Sequence, residues 1–171
     1  FERLDFPLFF TNSFVVATTV TVGNLVFCSM LGYALAKMEF AGRTTLFRLV
    51  LGTLMVPGMV TLVPLFVLVA NMGLDNTYPG LILPFLAGPF ILGIPDELID
   101  AARVDGAGEV RIFARIVMPL CKPALATLAI LTFLGSWNNF LWPLVVATTE
   151  ERYTLPVALA LYSVGQNQTQ Y

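Results

Sequence analysis

Histidine is absent from this chain, which removes the commonest metal ligand and the usual general base near neutral pH. Cysteine occurs twice, as Cys28 and Cys121, in or beside apolar runs and at no metal-ligand spacing, so both read as reduced packing residues. Charge is scarce: 12% of the 171 residues are charged against 57% hydrophobic, and the mean hydropathy is +0.82. A soluble domain carries about a quarter charged residues, so the composition excludes that class and describes a membrane protein. The net charge of −2, with no basic tract, excludes a nucleic-acid binder. No G-x-x-x-x-G-K-[ST] phosphate loop is present, and neither lysine, Lys37 or Lys122, follows a glycine. The long apolar runs contain no paired carboxylates and no nucleophile constellation, which argues against an intramembrane enzyme and against a proton-coupled carrier. No signal peptide opens the sequence and its last apolar run stops at GQNQTQY, so the chain is expected to be a fragment of a longer protein.

What is present is a series of uncharged runs of membrane-crossing length. Residues 1–13 mix charge with Phe and Leu, as a short amphipathic segment at the membrane surface would, and Asn12 and Ser13 are placed to cap the helix that follows. Residues 14–36 give 23 uncharged residues, enough for a hydrocarbon core of about 30 Å at roughly 1.5 Å per residue. Thr18, Thr19, Thr21, Asn24, Ser29, Gly23 and Gly32 in this span suit contact with other helices better than contact with lipid. Residues 37–48 carry three basic residues and mark a cytoplasmic turn. The second span, 49–70, holds Pro57 and Pro64 and is expected to bend. After an outer loop at 71–77, a third span of only 17 residues covers 78–94 with three prolines. The fourth span is 124–146, an outer loop covers 147–153, and a fifth span begins at Leu155. This topology puts Lys37, Arg43, Arg48, Arg103, Arg111, Arg115 and Lys122 inside, against Arg3 and Arg152 outside, as the positive-inside rule requires. The expected fold is all-α: a single transmembrane domain over 1–171, with about four spans, the start of a fifth, and a cytoplasmic helical loop at 95–123.

That loop concentrates charge, with four of the nine basic residues and five of the eleven acids. Pro95, Asp96 and Glu97 suit the first turn of a helix, and Gly106 suits the left-handed residue that ends it. Leu98, Ala101, Ala102 and Asp105 follow helical spacing, a small face made for another protein's groove. A second helix is expected from Glu109, with Arg111 and Arg115 on one side and Val110, Phe113 and Val117 on the other, ending before Pro119. The alternative is an amphipathic loop resting on anionic headgroups.

The order Asp100-Ala101-Ala102, then Gly106, Ile116 and Met118-Pro119, resembles the Glu-Ala-Ala…Gly…Ile-x-Leu-Pro loop of permease subunits in binding-protein-dependent ABC importers. Asp stands here for the family's Glu, and Met118 for its Leu. The flanking LGSWNNFLWPL, YTLPVALAL and MVPGMVTLVPLF are similar to the carbohydrate-uptake group of the maltose, glycerol-phosphate and oligosaccharide type. The resemblance implies a permease in a bacterial or archaeal cytoplasmic membrane, whose loop is a coupling helix docked in a groove of a cytoplasmic ATPase subunit dimer. It assigns Asp100, Ala101, Ala102, Gly106, Ile116 and Pro119 to that contact, with Arg103 and Asp105 at its rim. It also implies a second permease subunit, an extracytoplasmic solute-binding protein and a sugar substrate. ATP and Mg would be used by the partner ATPase, leaving no cofactor on this chain. Trp137, Asn138, Asn139 and Trp142 are candidate solute contacts, since amides bond hydroxyls and indoles stack on sugar faces; helix packing and interface anchoring are the alternative. Family members carry roughly two more helical turns between Pro89 and Gly93. Competing readings are a permease for a non-sugar solute and a non-transporting membrane scaffold fragment.

Overall fold

In a computed structural model, residues 5–88 and 96–168 are described, and among them every regular element is helical. The chain divides into two compact units, one of Phe1–Thr21, Gly58–Leu86 and Thr132–Tyr171, the other of Val22–Pro57 and Ala87–Leu131. Helix α1, Phe6–Lys37, contributes its first half to one unit and its second half to the other. At 32 residues, it is the one helix among those described that is long and apolar enough to cross a membrane unaided. One side of it is buried and holds Asn12, Ser13, Thr21, Asn24 and Ser29, while Phe14, Val22, Val26, Phe27 and Met30 are exposed. Of the polar residues expected to contact other helices, Thr21, Asn24 and Ser29 face protein, whereas Thr18 is half-buried and Thr19 exposed. Hydroxyls on this side also bond back to the helix itself, Thr21 Oγ1 to Ala17 O at 2.7 Å and Ser29 Oγ to Leu25 O.

Two expectations about this region change. The helix is already continuous from Phe6, so Asn12 and Ser13 lie inside it and not at its start, and the Ser13 hydroxyl instead accepts the N–H of Leu155, the first residue of the last helix, at 2.8 Å. The basic turn shrinks as well, because α2, Arg43–Leu54, begins within it. The second span breaks as its prolines require: α2 stops at Leu54, and α3, Gly58–Asn71, resumes after Pro57 and carries Pro64 inside. Counting each bent helix pair as one span, the described residues hold up to three spans.

The first unit is built around Val16, Val20, Val69, Leu81, Trp142 and Val146. Among the described residues the third expected span contributes α4, Tyr78–Ile82, and a 3-10 turn at Leu83–Phe85. Its last residues, 89–94, with the Pro89–Gly93 segment, and Pro95 after them lie outside the described residues. Thr77 caps α4, its hydroxyl accepting the Gly80 N–H at 3.2 Å. The fourth span is interrupted: α8 ends at Trp137, and α9, Leu141–Val146, follows a three-residue break. Helix α10, Leu155–Gln168, completes the unit.

Polar side chains fasten the loops of this unit. Asn76 adopts φ 54°, and its Oδ1 accepts the N–H groups of Thr148 and Thr149 at 3.0 and 3.1 Å. The Asn12 amide donates to the carbonyls of Glu151 and Tyr153, both at 2.9 Å, and Tyr78 Oη donates to Asn12 Oδ1 at 2.5 Å. Arg152 lies over the Tyr78 ring at 4.7 Å. Burying Asn12 without these partners would cost about 1–3 kcal/mol, so the knot fixes the register of the α1 start against the 147–153 loop.

The second unit contains the charged loop. Its core is Tyr33 from α1 with Ile99, Ala102, Ile112, Val117 and Leu125. Helix α5 is Asp96–Val104, α6 is Glu109–Ile112, a π turn covers Phe113–Val117, α7 is Met118–Leu120, and α8, Lys122–Trp137, begins after Cys121. The helical path turns by 77° at Cys121. The expected stop before Pro119 is thus replaced by a detour. A proline ring collides with the carbonyl four residues back, here Arg115, and the helix absorbs this by widening. The Met118 amide reaches back five residues to Phe113.

Candidate functional site

Helix α5 starts with Asp96 and Glu97 at its positive end and carries Arg103 in its last turn, a charge order that complements the helix dipole. Its end is a Schellman turn. Gly106 adopts φ +77°, its N–H bonds Arg103 O at 3.0 Å, and the Ala107 N–H bonds Ala102 O at 3.0 Å. Both the helix start at Glu109 and the left-handed Gly106 are thus as the sequence predicts.

The exposed face of α5 differs from the expected one. Ile99 and Ala102 are buried in the unit's own core, at 1% and 7% exposure, whereas Leu98, Asp100, Ala101, Val104 and Asp105 face outward. The small face grouped by spacing is therefore split, with Ala101 outside and Ala102 inside. Val110 is likewise exposed, at 82%, while Ile112 and Val117 are the residues buried from the following helix. Ile116 packs at the edge of the core, and Pro119 lines an apolar groove with Leu25, Met118, Lys122, Leu125 and Ala126.

Arg103 reaches back to its own unit while its side chain stays 35% exposed. Its Nε donates to Glu109 Oε1 at 2.9 Å, its Nη2 to the Lys37 carbonyl at 2.9 Å, and its Nη1 reaches Asp100 at 3.4 Å. Tyr33 Oη donates to the other Glu109 oxygen at 2.5 Å. Lys37 Nζ pairs with Asp96 at 2.5 Å. Arg43 donates to Leu35 O and Ala36 O, both at 2.8 Å. The last three carbonyls of α1 are therefore capped by two arginines from two other segments, where cations are favoured. The Tyr33 hydroxyl and then the Arg103 guanidinium hold the Glu109 carboxyl below its ordinary value of 4.5. Lys37 does the same for Asp96. Tyr33 was not singled out from sequence, and Lys37 and Glu109 were named there only for topology and as a helix start. Their only signal there was a polar ring at the inner end of a span and an acid six residues after an arginine.

The candidate solute residues separate into two environments. Trp137 stacks on Phe133 at 5.7 Å, meets Phe10 edge-on at 5.3 Å and stays partly exposed beside the helix break. Asn138 is exposed, and its amide donates to Leu134 O at 2.8 Å. Asn139 Oδ1 accepts the Trp142 backbone N–H at 3.4 Å, holding the restart of the helix. Trp142 is buried at 3%, and its Nε1 donates to Gly80 O at 3.1 Å. Within this chain it offers neither ring face nor N–H to a solute. Among the described residues, no group of three or more acidic, Cys or His side chains has a metal-binding arrangement.

The fold and the loop define a helical membrane protein with a charged helical segment at Asp96–Leu120. Residues 28–169 match the family described as binding-protein-dependent transport system inner membrane component, and the chain belongs to that family. It is 47% identical over 159 residues to the arabinooligosaccharides transport system permease protein AraQ of Halalkalibacterium halodurans, covering 88% of this chain and 57% of the relative. It is 40% identical over 151 residues to the sn-glycerol-3-phosphate transport system permease protein UgpE of Yersinia pestis, covering 84% of this chain and 54% of the relative. A bacterial ABC transporter involved in the import of the acidic polysaccharide alginate has a chain of similar structure, with a TM-score of 0.82 and 26% identity over 95% of this chain and 60% of that one. The chain spans a little over half the length of these curated relatives.

Proposed function

We propose that this chain is part of the permease subunit of an ATP-driven importer in a bacterial or archaeal cytoplasmic membrane, and that it carries a sugar or oligosaccharide. The observation that carries this reading is the α5 turn. A short helix with exposed Asp100, Ala101, Val104 and Asp105, closed by a left-handed Gly106, presents a low surface that another protein can approach closely. The partner for that surface is a cytoplasmic ATPase subunit, which supplies the ATP and Mg chemistry that this chain lacks a phosphate loop to perform. A second permease subunit and an extracytoplasmic solute-binding protein complete the assembly. Relatives named for arabinooligosaccharide and glycerol-phosphate transport support a polyhydroxylated solute. Trp137 and Asn138 suit such a solute, one ring for stacking and one amide for hydroxyls, at a break in the fourth span.

The test is co-purification of the full-length permease with its ATPase subunit in detergent. Ala101→Arg places a long cation on the exposed face without entering the core. Loss of the ATPase from this variant, with normal membrane insertion, is the expected result; full retention by the variant would sink the docking assignment.

A further inference from the structure

We propose that Tyr33, Glu109 and Arg103 form a clamp that makes the charged loop and the inner end of α1 move as one body, and are positioning residues for energy coupling. The proposal rests on the permease reading above for its role, and on geometry for its existence. Three elements meet at two side chains. Glu109, on α6, uses one carboxylate oxygen for Tyr33 of α1 and the other for Arg103 of α5, at 2.5 and 2.9 Å. Arg103 then spends a second nitrogen on the Lys37 carbonyl, the last residue of α1, at 2.9 Å. Tyr33 is 4% exposed, so its end of the clamp is shielded from water.

Beneath the clamp, α5 touches the rest of its unit through Ile99 and Ala102. Apolar contacts are non-directional and let a nine-residue helix slide, whereas charge-assisted hydrogen bonds fix both distance and orientation. The remaining tie, Lys37 to Asp96, is exposed on the Asp96 side at 77% and so is weak. A push on the outer face of α5 is therefore passed to α1 chiefly through Arg103 and Glu109. Without them the loop would yield first.

Hydrogen exchange on the purified full-length permease tests the clamp itself, comparing wild type with Tyr33→Phe and Glu109→Gln. The expected result is exchange about tenfold faster or more at amides of residues 96–112 in both variants, with the interior of α1 unchanged. Wild-type exchange in both variants would overturn the clamp. Proteoliposomes holding the permease and its ATPase subunit, with arabinotriose as the transported probe, test its role. Both variants should retain the ATPase and hydrolyse ATP, while transport per ATP falls about tenfold. Unchanged transport per ATP would overturn the positioning role. A wild-type permease that retains no ATPase subunit would instead overturn the permease reading, together with the coupling role, and the exchange result would still decide whether the clamp exists.

Discussion

At Gly106 the cost of a side chain can be isolated. No atom lies within 4 Å of where its Cβ would sit, so Gly106→Ala meets no clash and suffers only the left-handed φ of +77°. That conformation costs an L-residue about 1–2 kcal/mol, and a fall in the thermal midpoint of roughly 3 °C in detergent is expected. The clamp gives a pH dependence with a definite sign. Both Glu109 and Asp96 are held below their ordinary values of 4.5 and 3.8 by hydrogen-bonded partners. A depressed carboxylate stabilises the fold fully above its unfolded value and loses that contribution as pH falls through the lowered folded value. Thermal midpoints should therefore be flat from neutral pH down to about 5 and drop below about 4, less steeply in Glu109→Gln. Gly106 was legible in the sequence because a helix end selects glycine locally. The Tyr33–Glu109 bond was not, since it joins residues 76 apart and depends on how α6 folds back onto α1.

At the scale of elements, Gly80 shows how closely two segments approach. A Cβ there would sit 2.1 Å from the Leu74 carbonyl oxygen, which is backbone and cannot swing away, and Gly80 O is the acceptor for the buried Trp142 indole. Gly80→Ala should destabilise the protein by about 3 kcal/mol through overpacking, read as a lower thermal midpoint with altered tryptophan fluorescence. The same pair shows why sequence alone left Trp142 open between solute contact and helix packing. Its aromatic and amide neighbours suit sugar contact, and only the arrival of α4 turns it into a packing residue. Helix boundaries with strong local chemistry, Gly106 and Glu109, were readable in advance. The boundary at Pro119 was not, because a widened turn satisfies the backbone without breaking the helix, and nothing in the residue order distinguishes that from a stop. The broken second span was legible through Pro57, whereas the early start of α1 was hidden by the charges near residue 5.

For the whole molecule, the class was written in the composition, and the surface explains why. Residues along α2 and α3 such as Leu49, Leu54, Met55, Met59, Val60 and Val63 are 60% exposed or more. Apolar surface exposed in this way on each unit is stable only against lipid, detergent or another protein. The purified chain should remain monodisperse in detergent micelles and aggregate when detergent is diluted below its micellar concentration, as followed by light scattering.

Both tryptophans, Trp137 and Trp142, belong to the first unit, and both thiols, Cys28 and Cys121, belong to the second and are buried. The two units thus carry different intrinsic reporters, a fluorescent indole in one and a dye-reactive thiol in the other. A single heating ramp, with indole emission in one channel and a thiol-reactive dye in the other, records the melting of each half separately in the unmodified protein. Gly80→Ala should move the indole curve, and Glu109→Gln the thiol curve.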